Sequence, residues 1–274
     1  MGSSHSDAAF AGSIPEIYER YLVPLIFEPY ALDIAARAAR RQPGSVLEIA
    51  AGTGAVTRQL AQTLSKETAI VATDLSAAML KQAAAAGTAR PVEWREADAM
   101  RLPFPDGTFD TVVCQFGVMF FPDKAKAYAE AARVLRPGGQ FIFNVWDRLE
   151  HNELADTVTQ ALAAVFSEDP PRFMPRVPHG YHDFSLITQD LQRGGFVVPP
   201  QFTTLAARSV AGSAQSAAIA YCQGTPLRSE IEARGAARLT EATRAAEEAI
   251  AQRFGHAAID AKVQAHIVSV ALES

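Results

Sequence analysis

Cysteine is scarce in this chain: its 274 residues hold only Cys114 and Cys222. The two stand far apart, with no cysteine or histidine at metal-ligand spacing. That excludes a disulfide-stapled scaffold and a zinc framework, and predicts two reduced thiols. Long apolar runs are missing as well. No stretch reaches the roughly 20 residues that a membrane span needs. The opening MGSSHSDAAF lacks the basic start and apolar middle of a secretory signal. The six histidines form no H-E-x-x-H or comparable cluster, so no metal is expected. Nor is there an excess of positive charge: 25 Lys and Arg against 30 Asp and Glu leave a net −5, which argues against a nucleic-acid partner. These absences predict a cytoplasmic protein with no membrane span, with residues 1–12 as a flexible end. A hydrophobic content of 49% and a charged content of 20% are an ordinary globular balance, and the length suffices for a sizeable core.

From residue 45 to 147, short apolar runs alternate with helical spacing. Strands are expected at 45–50, 69–73, 92–97, 109–115 and 140–146. The helices between them are marked by Val56, Leu60 and Leu64, by a Ser76 cap and a Gly87 stop, and by Ala125, Tyr128, Ala129 and Ala132 ahead of Pro137-Gly138-Gly139. Alternation of this kind implies parallel pairing and an open α/β sheet, which binds ligands at the carboxyl ends of its strands. The glycine loop after the first strand, Asp74, Asp98 and the segment 115–117 all fall at such ends. Beyond Asp147 the pattern predicts a helix at 152–166, a proline-rich loop at 169–182, a short helix at 183–193 and a strand at 196–210 interrupted by Pro199-Pro200. A helical stretch at 213–255, broken at 224–226, precedes an alternating last strand at 259–271. The domains expected are an N-terminal cap segment (1–44), a cofactor-binding core (45–210), a helical insertion serving as a substrate lid (211–258) and a returning strand (259–274).

What the loop LEIAAGTGAV holds can be argued from its neighbours. A nucleoside-triphosphate loop ends in Gly-Lys-Ser/Thr, whereas here Ala55 and Val56 follow Gly54. A dinucleotide fingerprint wants a third glycine where Thr57 stands, although Asp74 lies at the distance of a ribose-binding acid. Glu48, just ahead of the loop, would repel a pyrophosphate. A ligand with a nucleoside and a positive charge suits these residues better. S-adenosylmethionine offers ribose hydroxyls to Asp74, an adenine amine to Asp98, and an ammonium and sulfonium to the loop and Glu48. Each acid alone could be a mere helix cap; three at successive strand ends favour a site.

The stretches VLEIAAGTGAVTRQLA, IVATDLSAAMLKQA, EADAMRLPFPDGTFDTVVCQFGVMFFPD and AARVLRPGGQFIF resemble the class I S-adenosylmethionine-dependent methyltransferases. The last two are similar to the small-molecule group that includes ubiquinone and menaquinone methyltransferases. The resemblance implies a Rossmann-like open α/β sheet, mostly parallel, with seven strands and an antiparallel last strand, plus the helical lid insertion. It implies S-adenosylmethionine as cofactor and S-adenosylhomocysteine as product. Around the methionine part it places Glu48, Ala50, Gly52 and Gly54; at the ribose Asp74, with Leu75 and Met79 near; at the adenine Asp98, Ala99 and Met100; and facing cofactor and acceptor Gln115, Phe116 and Gly117. An N-terminal segment folds over the cofactor in that group, so Tyr18 or Tyr21 could reach the methionine part. One departure stands out. The family has glycine where this chain has Ala50, and alanine tolerates only ordinary backbone angles; the loop is expected to survive because Gly52 and Gly54 remain.

Methyl transfer from a sulfonium needs alignment above all, and fixing two reactants can remove roughly 7–11 kcal/mol of barrier. The catalytic candidates, should a base be needed, are His179, Tyr181 and His182 in PHGYHD; Arg228 is a candidate for a substrate carboxylate. The partners expected are a small-molecule substrate and a homodimer mate. The alternatives are a nicotinamide (NAD)-dependent oxidoreductase and a non-catalytic S-adenosylmethionine-binding module.

Overall fold

The computed structural model describes residues 10, 12–235 and 237–273. All of the flexible end expected at 1–12 except Phe10 and Gly12 lies outside them. In chain order the principal elements are α1 (Glu28–Ala39), β1 (Ser45–Ile49), α2 (Ala55–Thr63), β2 (Ala69–Asp74), α3 (Ala77–Ala86), β3 (Glu93–Glu96), β4 (Phe109–Gln115), α4 (Lys124–Val134) and β5 (Leu135–Trp146). They continue with α5 (Glu153–Val165), α6 (Phe173–Arg176), α7 (Phe184–Arg193), β6 (Gln201–Ala211), α8 (Ala214–Gln223), α9 (Leu227–Ala233), α10 (Arg238–Phe254) and β7 (Ile259–Ala271). The seven strands form one sheet in the order β3-β2-β1-β4-β5-β7-β6. It is mostly parallel with the last strand antiparallel, a Rossmann-like α/β fold with a helical insertion between β6 and β7.

Among the described residues the chain divides into two units. One takes in residues 28–145, 181–204 and 266–273; the other takes in those up to Phe27 and residues 146–180 and 205–265. The first holds the parallel strands. In β1 the run Val46, Leu47, Ile49 is buried on both faces, as a central parallel strand requires. β1 pairs with β2 on one side and β4 on the other. The chain thus leaves β1 in opposite directions, and the crevice between β1 and β4 is the topological switch point of the sheet. Helix starts follow local chemistry: Ser76 Oγ accepts the Met79 N–H to cap α3, Asp123 caps α4 through Lys126 N–H, and Asp183 caps α7 through Ser185 and Leu186 N–H. Tyr128 on α4 packs on Phe141 and Phe143 of β5 and fastens that helix to the sheet.

Three sequence expectations shift. Pro137-Gly138-Gly139 does not separate α4 from a strand at 140; it lies inside β5. Phe109 pairs with Leu135 and Thr111 with Gln140, so a bulge absorbs the extra residues, with Gly138 at φ 74. β6 begins at Gln201, not 196, because Pro199-Pro200 cannot carry a ladder and Phe196 is buried instead against Phe141. The proline-rich loop carries one turn of helix, α6, whose first amides from Arg172 and Phe173 donate to Glu230 Oε2.

In the second unit, Tyr18–Phe27 is a π-helical segment that packs on α8, and α10 packs on both α8 and α5. Arg228 ion-pairs with Glu232 at 2.8 Å within α9 and donates to Ser13 Oγ. Among the described residues no helix is long and apolar enough to cross a membrane, and no group of three or more His, Cys, Asp or Glu side chains is gathered to hold a metal.

Candidate cofactor site

The loop after β1 contains three consecutive tight features. Ala50 has φ 55, Gly52 φ 57 and Gly54 φ 84, all left-handed. Glycine takes this conformation without cost. Alanine does not, so the expectation of ordinary angles at Ala50 is corrected: tertiary contacts hold it there. Gly54 opens α2, and a Cβ built on it would stand 3.0 Å from the Trp94 ring and 3.2 Å from Ala83. The backbone at this point must stay bare.

Asp74, the last residue of β2, shapes the loop. Its Oδ2 accepts Gly52 N–H at 2.8 Å and its Oδ1 accepts Ser76 N–H at 2.8 Å. A carboxylate has about four lone-pair positions, so each oxygen keeps capacity for a ligand hydroxyl. Burial raises its pKa, while the Ser76 and Gly52 amides pull it back. Beside it Leu75 is 63% exposed, an apolar surface at the strand end, and Met79 is buried below it in α3.

Glu48 is buried on β1. Its Oε2 accepts the Thr57 hydroxyl at 2.5 Å. Burial pushes its carboxyl up to about 8; the Thr57 bond opposes the rise, the nearby Asp74 charge adds to it and Arg58 counters it. In the free protein at neutral pH this carboxyl is therefore mostly protonated, and a cation placed beside it would draw it toward the ionised form. Register places further groups on the same side of the sheet. Glu48 pairs with Ala72 and Val113; two residues on stand Asp74 and Gln115, and Gln115 pairs with Asn144.

Asp98 follows β3. Its Oδ1 accepts Met100 N–H at 2.8 Å, turning the chain so that Ala99 is buried and Met100 half-buried. After β4, Phe116 has φ 50 and its N–H donates to Asn144 Oδ1 at 2.8 Å, while its ring meets Tyr30 edge-on at 5.3 Å. The structure thus brings Glu48, Ala50, Gly52, Gly54, Asp74, Leu75, Met79, Asp98, Ala99, Met100, Gln115 and Phe116 together in one unit, along adjoining strand ends. Tyr21 sits half-buried in the π-helical segment of the other unit, under the Arg20 guanidinium.

The base candidates do not form a cluster. Tyr181 is turned into the core: its hydroxyl donates to Asp190 Oδ2 at 2.9 Å and contacts the Tyr128 hydroxyl at 3.3 Å. Burial raises its pKa, and both hydroxyl contacts are internal, an arrangement that suits a structural role. His179 is buried and belongs to the other unit, where its Nδ1 donates to the Asp147 carbonyl at 2.8 Å. His182 follows Tyr181 and is half-buried. Three residues escaped the sequence reading. Thr57 stood where a dinucleotide site has its third glycine, which was its only signal. Thr53 and Asn144 gave none.

The residues fit S-adenosylmethionine on structural grounds. The Thr53 hydroxyl in the glycine loop is buried with no partner among the described residues, Gly54 packs its bare Cα on Trp94 and Ala83, and the acceptors are carboxylates suited to hydroxyls, an amine and a cation.

Comparison with known proteins gives the following likenesses. Residues 47–143 match the family model described as a methyltransferase domain. A ubiquinone/menaquinone biosynthesis C-methyltransferase UbiE from Marinomonas sp. is 35% identical over 124 residues, 44% of this chain and 49% of that protein. The chain thus spans about half the length of the curated relatives it matches. Among solved structures, a putative methyltransferase from Bacillus halodurans superposes with a TM-score of 0.55 at 20% identity, covering 89% of this chain and 99% of that one. A Haemonchus contortus phosphoethanolamine N-methyltransferase, solved with S-adenosylhomocysteine, gives 0.55 at 17% identity over 90% of this chain and 53% of its own. Residues 47–143 thus match a methyltransferase domain, and the solved methyltransferase structures share the fold around them.

Proposed function

We propose that this chain binds S-adenosylmethionine in the crevice between β1 and β4 and transfers its methyl group to a small molecule. The observation that carries the reading is the joint placement of Asp74 and Glu48. One carboxylate braces the glycine loop through Gly52 N–H and keeps lone pairs for ribose hydroxyls; the other lies buried on the same face of the sheet, protonated until a cation arrives. When bound, the cofactor supplies an electrophilic methyl on a sulfonium, a good leaving group. The protein's share is positional. Asp74 and Asp98 would fix the nucleoside end, and the bare backbone at Gly52–Gly54 would receive the methionine end. Phe116 and its Tyr30 partner form an apolar wall at β4 that excludes water. Alignment of this kind carries most of the rate.

The acceptor class to examine first is the one in the relatives' name: a carbon atom of a molecule on the way to ubiquinone or menaquinone. Calorimetric titration with S-adenosylhomocysteine tests the reading. Micromolar binding supports it, and a folded protein that takes up none overturns it.

A further inference from the structure

Asn144 lies on β5, wholly buried, in register with Gln115. Its Oδ1 accepts the Phe116 N–H at 2.8 Å, and since an amide N–H only donates, this bond fixes which way the carboxamide points. Nδ2 is thereby left buried with no partner among the described residues. Its neighbours along the strand, Phe141, Ile142, Phe143 and Val145, are apolar and buried. Packing alone would favour another such residue at 144, because an orphaned buried donor costs stability. What the carboxamide provides is control of Phe116. That residue sits at φ 50, a conformation an aromatic residue adopts only when its surroundings impose it. The next residue, Gly117, closes on Ala50, itself at φ 55. Two left-handed non-glycine residues therefore stand on the two sides of the β1/β4 switch point, where strain of this kind marks function.

We propose that Asn144 is the positioning residue of the cofactor crevice: by holding the Phe116 N–H it keeps residues 115–117 in the shape that closes on the ligand. The inference rests on the S-adenosylmethionine reading. A residue kept for this purpose and not for stability explains the orphaned Nδ2.

The test compares Asn144→Leu and Asn144→Asp for thermal midpoint and for affinity toward S-adenosylhomocysteine. Asn144→Leu exchanges one orphan for another, since Nδ2 disappears and the Phe116 N–H loses its acceptor. The midpoint is expected to stay near the wild-type value while affinity falls about tenfold or more. Asn144→Asp at pH 6, where so buried a carboxyl is protonated, keeps an oxygen on the Phe116 N–H and is expected to bind like the wild type. Unchanged affinity in Asn144→Leu overturns the inference. So does a loss in both variants that follows a lowered midpoint, which a purely structural residue would produce. If Asn144→Leu does not fold, amide hydrogen exchange over residues 115–117 of the wild-type chain decides. Slowing on addition of S-adenosylhomocysteine supports the inference, and no response overturns it. A wild-type chain that fails to bind at all overturns the cofactor reading itself, and is seen before any variant is compared.

Discussion

Ala50 and Gly117 are in contact across the β1/β4 crevice: a Cβ built on Gly117 would stand 2.6 Å from Ala50 Cβ and 2.6 Å from Cys114 Sγ. The Ala50 methyl therefore occupies space that a glycine at 117 leaves open. Ala50 holds its left-handed φ at a cost of roughly 1–2 kcal/mol.

Replacing Ala50 by glycine removes that strain, while the freer unfolded chain takes back about 0.5–1 kcal/mol. The expected result is a midpoint equal to or slightly above the wild type, with cofactor affinity kept or improved. Gly117→Ala should instead destabilise by about 1–3 kcal/mol through overpacking, and adding Ala50→Gly should recover part of that loss. Thermal denaturation of the two single variants and the double variant measures the coupling; strictly additive effects would contradict the contact.

Glu48 imposes a pH dependence whose sign follows from its raised pKa. Between about 4.5 and 8 the folded protein holds a proton that the unfolded chain has lost. The contribution is full below 4.5 and is lost as pH rises through about 8, at no more than ~1.4 kcal/mol per pH unit. Glu48→Gln should flatten this slope. Denaturant titrations of both proteins at pH 5, 6, 7 and 8 read it directly. Parallel pH profiles would show that Glu48 ionises normally in the native state.

Asp74→Ala removes the acceptor of Gly52 and Ser76 N–H and the proposed ribose ligand together. Binding of S-adenosylhomocysteine should weaken by roughly 1.5–3 kcal/mol, the worth of a charge-assisted hydrogen bond. Near-normal affinity at an unchanged heat of binding would remove Asp74 from the site.

Tyr181→Phe separates structure from chemistry. It leaves the buried Asp190 without its 2.9 Å donor, so stability should drop by about 1–3 kcal/mol. Cofactor affinity should stay the same, as should the pH profile of methyl transfer once an acceptor is found. A shifted pH profile would return Tyr181 to the reaction.

The residues of the proposed cofactor site were legible because they are local punctuation. Glycines at 52 and 54, and acids at 74 and 98, stand directly at the ends of apolar runs, and a period of two residues locates those ends. Asn144 was not legible, since its meaning depends on which residue of β4 lies beside it. That register is set by the bulge at 136–139, which the sequence shows only as Pro-Gly-Gly, a signal shared by turns and strand irregularities. The inward turn of Tyr181 was not legible for a related reason. A loop rich in proline and histidine reads as exposed, and nothing local says that its tyrosine turns inward to meet Tyr128 and Asp190 from two helices. Ala50 was misjudged because backbone conformation was inferred from residue type, whereas contacts across the crevice decide it.

The most direct test of the account is calorimetric titration of the folded chain with S-adenosylmethionine, with NADH as control. The account predicts micromolar binding of S-adenosylmethionine and none of NADH. Binding of NADH, or no heat with S-adenosylmethionine, would contradict the roles given to Glu48, Asp74 and Asp98.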